Sequence, residues 1–147
     1  VNIKRYQGYC DAMREAGLAV NEQAIYAGTV DYEYGVDAAR EYLARGRKQT
    51  AAFVTADVIT MGLIKGLQQN HIRIPEDVSI VSFDDVYLSQ MAHPALTTIH
   101  QDIGEKGRQA VQLVLEAASS KEHHHTECIL PLSLVERESV CERRDDA

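Results

Sequence analysis

A chain of 147 residues fits one domain, and a domain of that size buries about two thirds of its unfolded surface, so a hydrophobic core is within reach. Its 45% hydrophobic and 25% charged residues are ordinary globular values and exclude disorder as the starting point, while no apolar run approaches the ~20 residues of a membrane span. A formal net charge of −7 gives the chain no general attraction for a polyanion, so any DNA contact is made elsewhere.

Cys10, Cys128 and Cys141 are odd in number, widely spaced and free of any CxxC or metal pattern, which points to free thiols in a reducing, cytoplasmic setting. Val1 is not a start methionine and no secretion-type segment precedes the first helix, so the chain reads as a piece of a longer one.

In chain order, Tyr6, Tyr9, Cys10, Met13 and Ala16 recur at helical spacing and predict a helix over residues 2–16, with Asn2 able to cap it and Gly17 to stop it. Arg5 lies one turn into that helix. A short strand is expected over 23–27, then a loop of turn formers and tyrosines over 28–35. A helix over 34–45 carries Val36, Ala39 and Leu43 on one side, and 51–55 reads as a short buried strand. The next helix, 58–70, has Ile59, Leu63, Ile64 and Leu67 as its apolar stripe with Met61 beside it, and Asp57 is placed to cap it. Pro75 marks a turn and sets Ile74 extended.

The stretch around which the chain is organised follows. Val78, Ile80, Val81 and Phe83 are β-formers with no polar face, as suits the middle of a parallel sheet covered on both sides. Asp84 and Asp85 arrive at the carboxyl end of that strand, where open α/β sheets bind ligands. A helical turn at 88–92, a break at His93-Pro94, a strand over 96–100 and a long amphipathic helix over 103–119 come next. Residues 119–127 form a polar loop, 128–136 two short strands divided at Pro131, and the tail is charged. The alternation predicts an α/β fold: a parallel sheet with right-handed crossovers and helices on both faces.

PEDVSIVSFDD followed by HPALTTIHQ, with TADVITMG upstream and LPLSLVERES near the end, resembles the effector-binding region of the lactose repressor family of bacterial transcription regulators from about Arg5 to Ser139. The resemblance implies a periplasmic-binding-protein-like architecture of two α/β subdomains behind a DNA-binding helix-turn-helix that this chain lacks. Residues 1–101 and 132–147 would form the second, C-terminal subdomain. The helix and strand of 102–131 would return to a first subdomain that is missing.

The same resemblance implies effector contacts at Arg5, Asp84 and Gln101, and more weakly at Val30, Tyr32 and Ala56. Many relatives have asparagine where Ala56 stands. It also implies a homodimer with Met61, Ile64 and Leu67 at the interface. A carboxylate suits two neighbouring hydroxyls of a sugar-like ligand, and a guanidinium supplies paired donors. The expected function is the ligand-sensing and dimerisation part of a repressor answering a sugar or sugar derivative, with operator DNA bound through the missing headpiece. The alternative is a sugar-binding protein of a transport system.

Each site residue also has a structural reading: Asp84 or Asp85 as a cap of the turn at Val86, Arg5 as a surface ion pair, Asp57 as a helix cap. Asp84, Asp85, His93 and His100 together invite an acid-base enzyme, yet no GxSxG, phosphate loop or placed nucleophile accompanies them, and no cofactor is expected. His123, His124 and His125 are consecutive on one loop and lack a fourth ligand, so they read as a solvated segment and not a metal site.

Overall fold

In the computed structural model, which describes residues 2–119 and 126–142, the apolar run after Val78 becomes the second strand of a four-stranded sheet. In chain order the elements are α1 (Asn2–Glu15), α2 (Tyr32–Ala44), β1 (Ala51–Phe53), α3 (Asp57–Gln69), β2 (Ser79–Asp84), β3 (Thr97–Gln101), α4 (Ile103–Ser119) and β4 (Leu132–Val135). The strands lie in the order β1-β2-β3-β4. β1 and β3 flank β2 in parallel, with Phe53 opposite Val81 and Asp84 opposite His100. β4 closes the far side antiparallel to β3, with Leu132 opposite Gln101.

Consecutive strand residues face opposite sides, and β2 uses both. Ser82 meets the Thr60 hydroxyl of α3 at 2.7 Å, while Phe83 carries the Arg5 guanidinium of α1 3.6 Å above its ring. Helices therefore cover both faces, and the α/β architecture read from the alternation holds.

The core lies between α2, α3 and the sheet: Ala39 and Tyr42, Leu63, Ile64 and Leu67, then Ile72, Ile74, Val78, Ile80 and Leu96. α2 and α3 approach until backbone meets backbone. A β-carbon on Gly62 would stand 2.0 Å from the Tyr32 carbonyl oxygen, and one on Gly35 2.0 Å from that of Ile59.

Several boundaries move for physical reasons. α2 begins at Tyr32, two residues early, because Asp31 caps it by accepting from the Tyr34 N–H at 2.7 Å. The strand expected over 23–27 does not form: Glu22–Ala24 is a 3-10 turn capped by Asn21, and the Gln23 carbonyl is taken by the Arg45 guanidinium. The first of the two strands expected over 128–136 is likewise absent, since only Leu132–Val135 finds a ladder partner.

The expectation that Ile64 and Leu67 face a second subunit is corrected. They are 5% and 1% exposed, spent on packing α3 against α2 and the sheet, whereas Met61 is half-buried at the edge of that core.

Beyond β4 the chain turns back into the sheet. Ser139 is fully buried; its hydroxyl donates to the Ile80 carbonyl at 2.6 Å and accepts from the Thr97 N–H at 2.8 Å. α4, by contrast, buries no residue, and Ile103, Val111, Val114 and Leu115 are all more than half exposed. Among the described residues no helix is long and apolar enough to cross a membrane.

Candidate functional site

β2 ends at Asp84, and the chain turns there under strain. Asp84 has φ +120° and Asp85 φ +54°, a left-handed pair of non-glycine residues that costs on the order of 1–3 kcal/mol each. The turn delivers the Asp84 carboxylate to two donors from distant elements. Arg5 of α1 places Nη2 3.3 Å from Oδ1, and Gln101, last residue of β3, donates Nε2 to the same oxygen at 2.6 Å.

Arg5 is held on three sides: by Asp84, by the Thr55 carbonyl that its Nη1 reaches, and by the Phe83 ring beneath it. The Arg5 and Asp84 side chains are 14% and 24% exposed, so the pair is neither sealed away nor freely solvated. Among the described residues Asp84 Oδ2 accepts no hydrogen bond, which leaves it for a donor from outside. Lys106, in the first turns of α4, donates to Gln101 Oε1 at 3.5 Å and extends the polar line. A surface like this offers one fixed acceptor flanked by fixed donors, which is how a small polyhydroxylated molecule is oriented.

The three principal site residues read from the sequence therefore stand together. Of the weaker ones, Val30 and Tyr32 are exposed where the chain enters α2, and Ala56 is buried next to the Thr55 carbonyl that Arg5 holds. None of these three brings a side-chain hydrogen bond to Asp84.

Asp85 does not cap the turn at Val86. It accepts from Arg137 Nη2 at 2.7 Å on one oxygen and meets His100 Nδ1 at 2.9 Å on the other. Burial pushes its carboxyl up, but the hydrogen bonds and charges of Arg137 and His100 outweigh that and hold it below the ordinary range. Arg137 also donates to the Leu96 carbonyl, so this ion pair stitches the segment after β4 to the end of β2.

Asp57 does not cap α3 either: the capping position is Ala56, which makes no side-chain bond there. Asp57 is fully buried, and its two oxygens accept from the Val86 N–H, the Ser89 hydroxyl and the Thr98 hydroxyl. Sequence reading missed both Arg137 and this role of Asp57. The only local signal was an acid at a helix start, which serves a cap equally well.

The acid-base constellation is not assembled as a reacting group. Asp85 is committed to Arg137, and the contact His93 makes is through its backbone carbonyl, which accepts from Gln68 Nε2 at 2.6 Å. Among the described residues no three His, Cys, Asp or Glu groups converge as metal ligands; His123, His124 and His125 lie outside the described residues.

The sequence matches the periplasmic binding protein-like domain over residues 1–140, nearly its whole length. The chain belongs to the periplasmic binding protein-like domain family. As a member of that family it is 38% identical over 137 residues to the HTH-type transcriptional repressor PurR of Vibrio cholerae serotype O1 (strain M66-2), an alignment covering 93% of this chain and 41% of that protein. The chain thus spans about two fifths of the length of the curated relatives it matches.

Among solved structures, a putative transcriptional regulator LacI from Bacillus cereus subsp. cytotoxis NVH 391-98 superposes with TM-score 0.91 at 29% identity, over 97% of this chain and 50% of that one. The transcriptional regulator CelR in complex with cellobiose superposes with TM-score 0.88 at 30% identity, over 93% and 42%. These relatives are transcription regulators and not enzymes, and they bear out the resemblance to the lactose repressor family carried by the motifs around Asp84.

Proposed function

We propose that this periplasmic binding protein-like domain is the ligand-sensing region of a cytoplasmic DNA-binding transcriptional repressor, and that its ligand is a sugar or sugar derivative. The observation that carries the reading is the Asp84 carboxylate at the end of β2, held between Arg5 and Gln101 with Oδ2 unengaged among the described residues. The cellobiose bound to one similar regulator supports the choice of a polyhydroxylated ligand.

The apolar stripe of α4, with Ile103, Val111, Val114 and Leu115 exposed, is the surface on which residues 102–131 would join a first subdomain, with 1–101 and 132–147 forming the second. Operator DNA is bound by a separate headpiece, in keeping with the −7 charge here. The same reading makes the protein a homodimer. Met61 stays in the proposed interface, joined by the exposed Val58, Tyr87, Leu88 and Met91 in place of the buried Ile64 and Leu67. A regulator of this kind needs its ligand to favour one of two states, a coupling of about 1–3 kcal/mol.

The test is a thermal-shift screen of the intact protein against sugars, sugar phosphates and nucleobases, followed by calorimetry on whatever binds. Asp84→Ala or Arg5→Ala should each cost about 1.5–3 kcal/mol, roughly ten- to hundredfold in affinity. Titrations unchanged in both variants refute the assignment.

A further inference from the structure

Asp57 is, among the described residues, the one charged side chain with no exposure at all; two of its three bonds go to Val86 and Ser89, just past the turn that presents Asp84, and the third to Thr98 of the neighbouring β3. We infer that Asp57 is a positioning residue of the ligand site: its carboxylate sets the pitch of the turn from Asp84 to Val86 and so aims the Asp84 carboxylate at Arg5 and Gln101. This deepens the reading of Asp84 as the group that grips ligand and rests on it.

Two consecutive left-handed non-glycine residues persist only where their surroundings over-determine them. On one side Asp84 is pinned by its ladder with His100. On the other, the first residue past the strained pair, Val86, gives its N–H to Asp57 Oδ2 at 3.0 Å, and Ser89 gives its hydroxyl to the same oxygen at 2.6 Å. Oδ1 takes the Thr98 hydroxyl at 2.8 Å, on the strand that carries His100 two residues later. One rigid group therefore ties the exit of the turn to β3, the strand that flanks its entry.

A carboxylate suits this place because every neighbour donates and none needs a donor in return. Its position in the first turn of α3 favours negative charge as well. An amide of the same shape removes the charge and turns an N–H toward the Thr98 hydroxyl, which must reverse from donor to acceptor, so the bonds that hold the turn weaken.

The test uses NMR on the full chain, reading the Asp84 side-chain carboxyl carbon, the Arg5 guanidinium and amide exchange at Val86. Asp57→Asn should displace the Asp84 and Arg5 signals and speed Val86 exchange at least tenfold beyond Leu67→Ala, a core variant that lowers stability without touching the turn. Should Asp57→Asn fail to fold, Ser89→Ala and Thr98→Val each remove one donor, keep the carboxylate and should displace the same signals by less. Unmoved Asp84 and Arg5 signals, whether or not Val86 exchange quickens, make Asp57 merely structural and overturn the inference. No ligand enters this experiment. A failure of Asp84→Ala to weaken sugar binding would defeat the ligand reading and leave this result standing.

Discussion

Arg5→Ala should free α1 while the rest of the domain stays folded. Among the described residues no α1 side chain belongs to the hydrophobic core; Ile3 is 76% exposed and Tyr6 42%, and Arg5 carries the hydrogen bonds and ring contact that tie the helix to the strand ends. At 3.3 Å and an effective dielectric constant of about 20, the attraction to Asp84 is about 5 kcal/mol before costs. Partial desolvation and roughly 2 kcal/mol of arginine rotamer entropy offset much of it, leaving the ~1.5–3 kcal/mol of a charge-assisted hydrogen bond. The guanidinium over Phe83 adds about 0.5–1 kcal/mol.

Losing a total of roughly 2–4 kcal/mol leaves a 14-residue helix that is marginal by itself. Hydrogen exchange across α1 should then quicken by at least about thirtyfold, with amides of β2 and α3 near their original rates. Arg5→Lys keeps the charge but not the fork and should fall between. The reasoning fails if α1 exchange is unchanged, or if it rises only in step with β2, since the helix would then be held by something other than this arginine.

Gly62→Ala should destabilise by more than about 2 kcal/mol in chemical denaturation, because overpacking against the Tyr32 carbonyl exceeds the ~1 kcal/mol that alanine gains in a helix; a stabilised variant would contradict the close approach of α2 and α3. Ser139→Ala leaves the buried Thr97 N–H without its acceptor and should cost about 1–3 kcal/mol by the same measurement. Asp77 is pulled to about 2 by hydrogen bonds from the Arg73 side chain and N–H. Its folded value is below the ordinary 3.8, so its stabilisation is present above pH 3.8 and is lost as pH falls toward 2. The pair is partly exposed, so the loss stays below about 1 kcal/mol, and an NMR titration should place the Asp77 midpoint near 2 in the native chain and part of the way back toward 3.8 in Arg73→Ala, which loses the side-chain donors and keeps the backbone N–H.

Much of the fold was legible because its signals are local. The short β-forming run from Val78 to Phe83 matched β2, and the amphipathic period over 103–119 matched α4. The meeting of Arg5, Asp84 and Gln101 came from motif resemblance, since nothing in spacing alone brings residues 5, 84 and 101 to one point.

What was misread shares a cause: one local pattern serves two long-range outcomes. An acid opening a helix is a cap or, as with Asp57, an acceptor for a loop 29 residues away. An apolar stripe is an interface or, as with Ile64 and Leu67, a core. A short apolar run such as 23–27 becomes a strand only where a neighbour offers a ladder, and Arg45 had already taken the Gln23 carbonyl.

By itself, then, the amino-acid order determined most of the helices and strands, though not the fate of 23–27 or 128–131, and that the acidic pair would arrive at a strand end, because backbone preference and side-chain period act over a few residues. Only the folded chain decided which acid stands open to a ligand. Asp84 and Asp85 are chemically identical neighbours. They differ because Arg137 and His100 occupy one while Arg5 and Gln101 leave an oxygen of the other unspent among the described residues, and those partners arrive from 15 to 79 residues away.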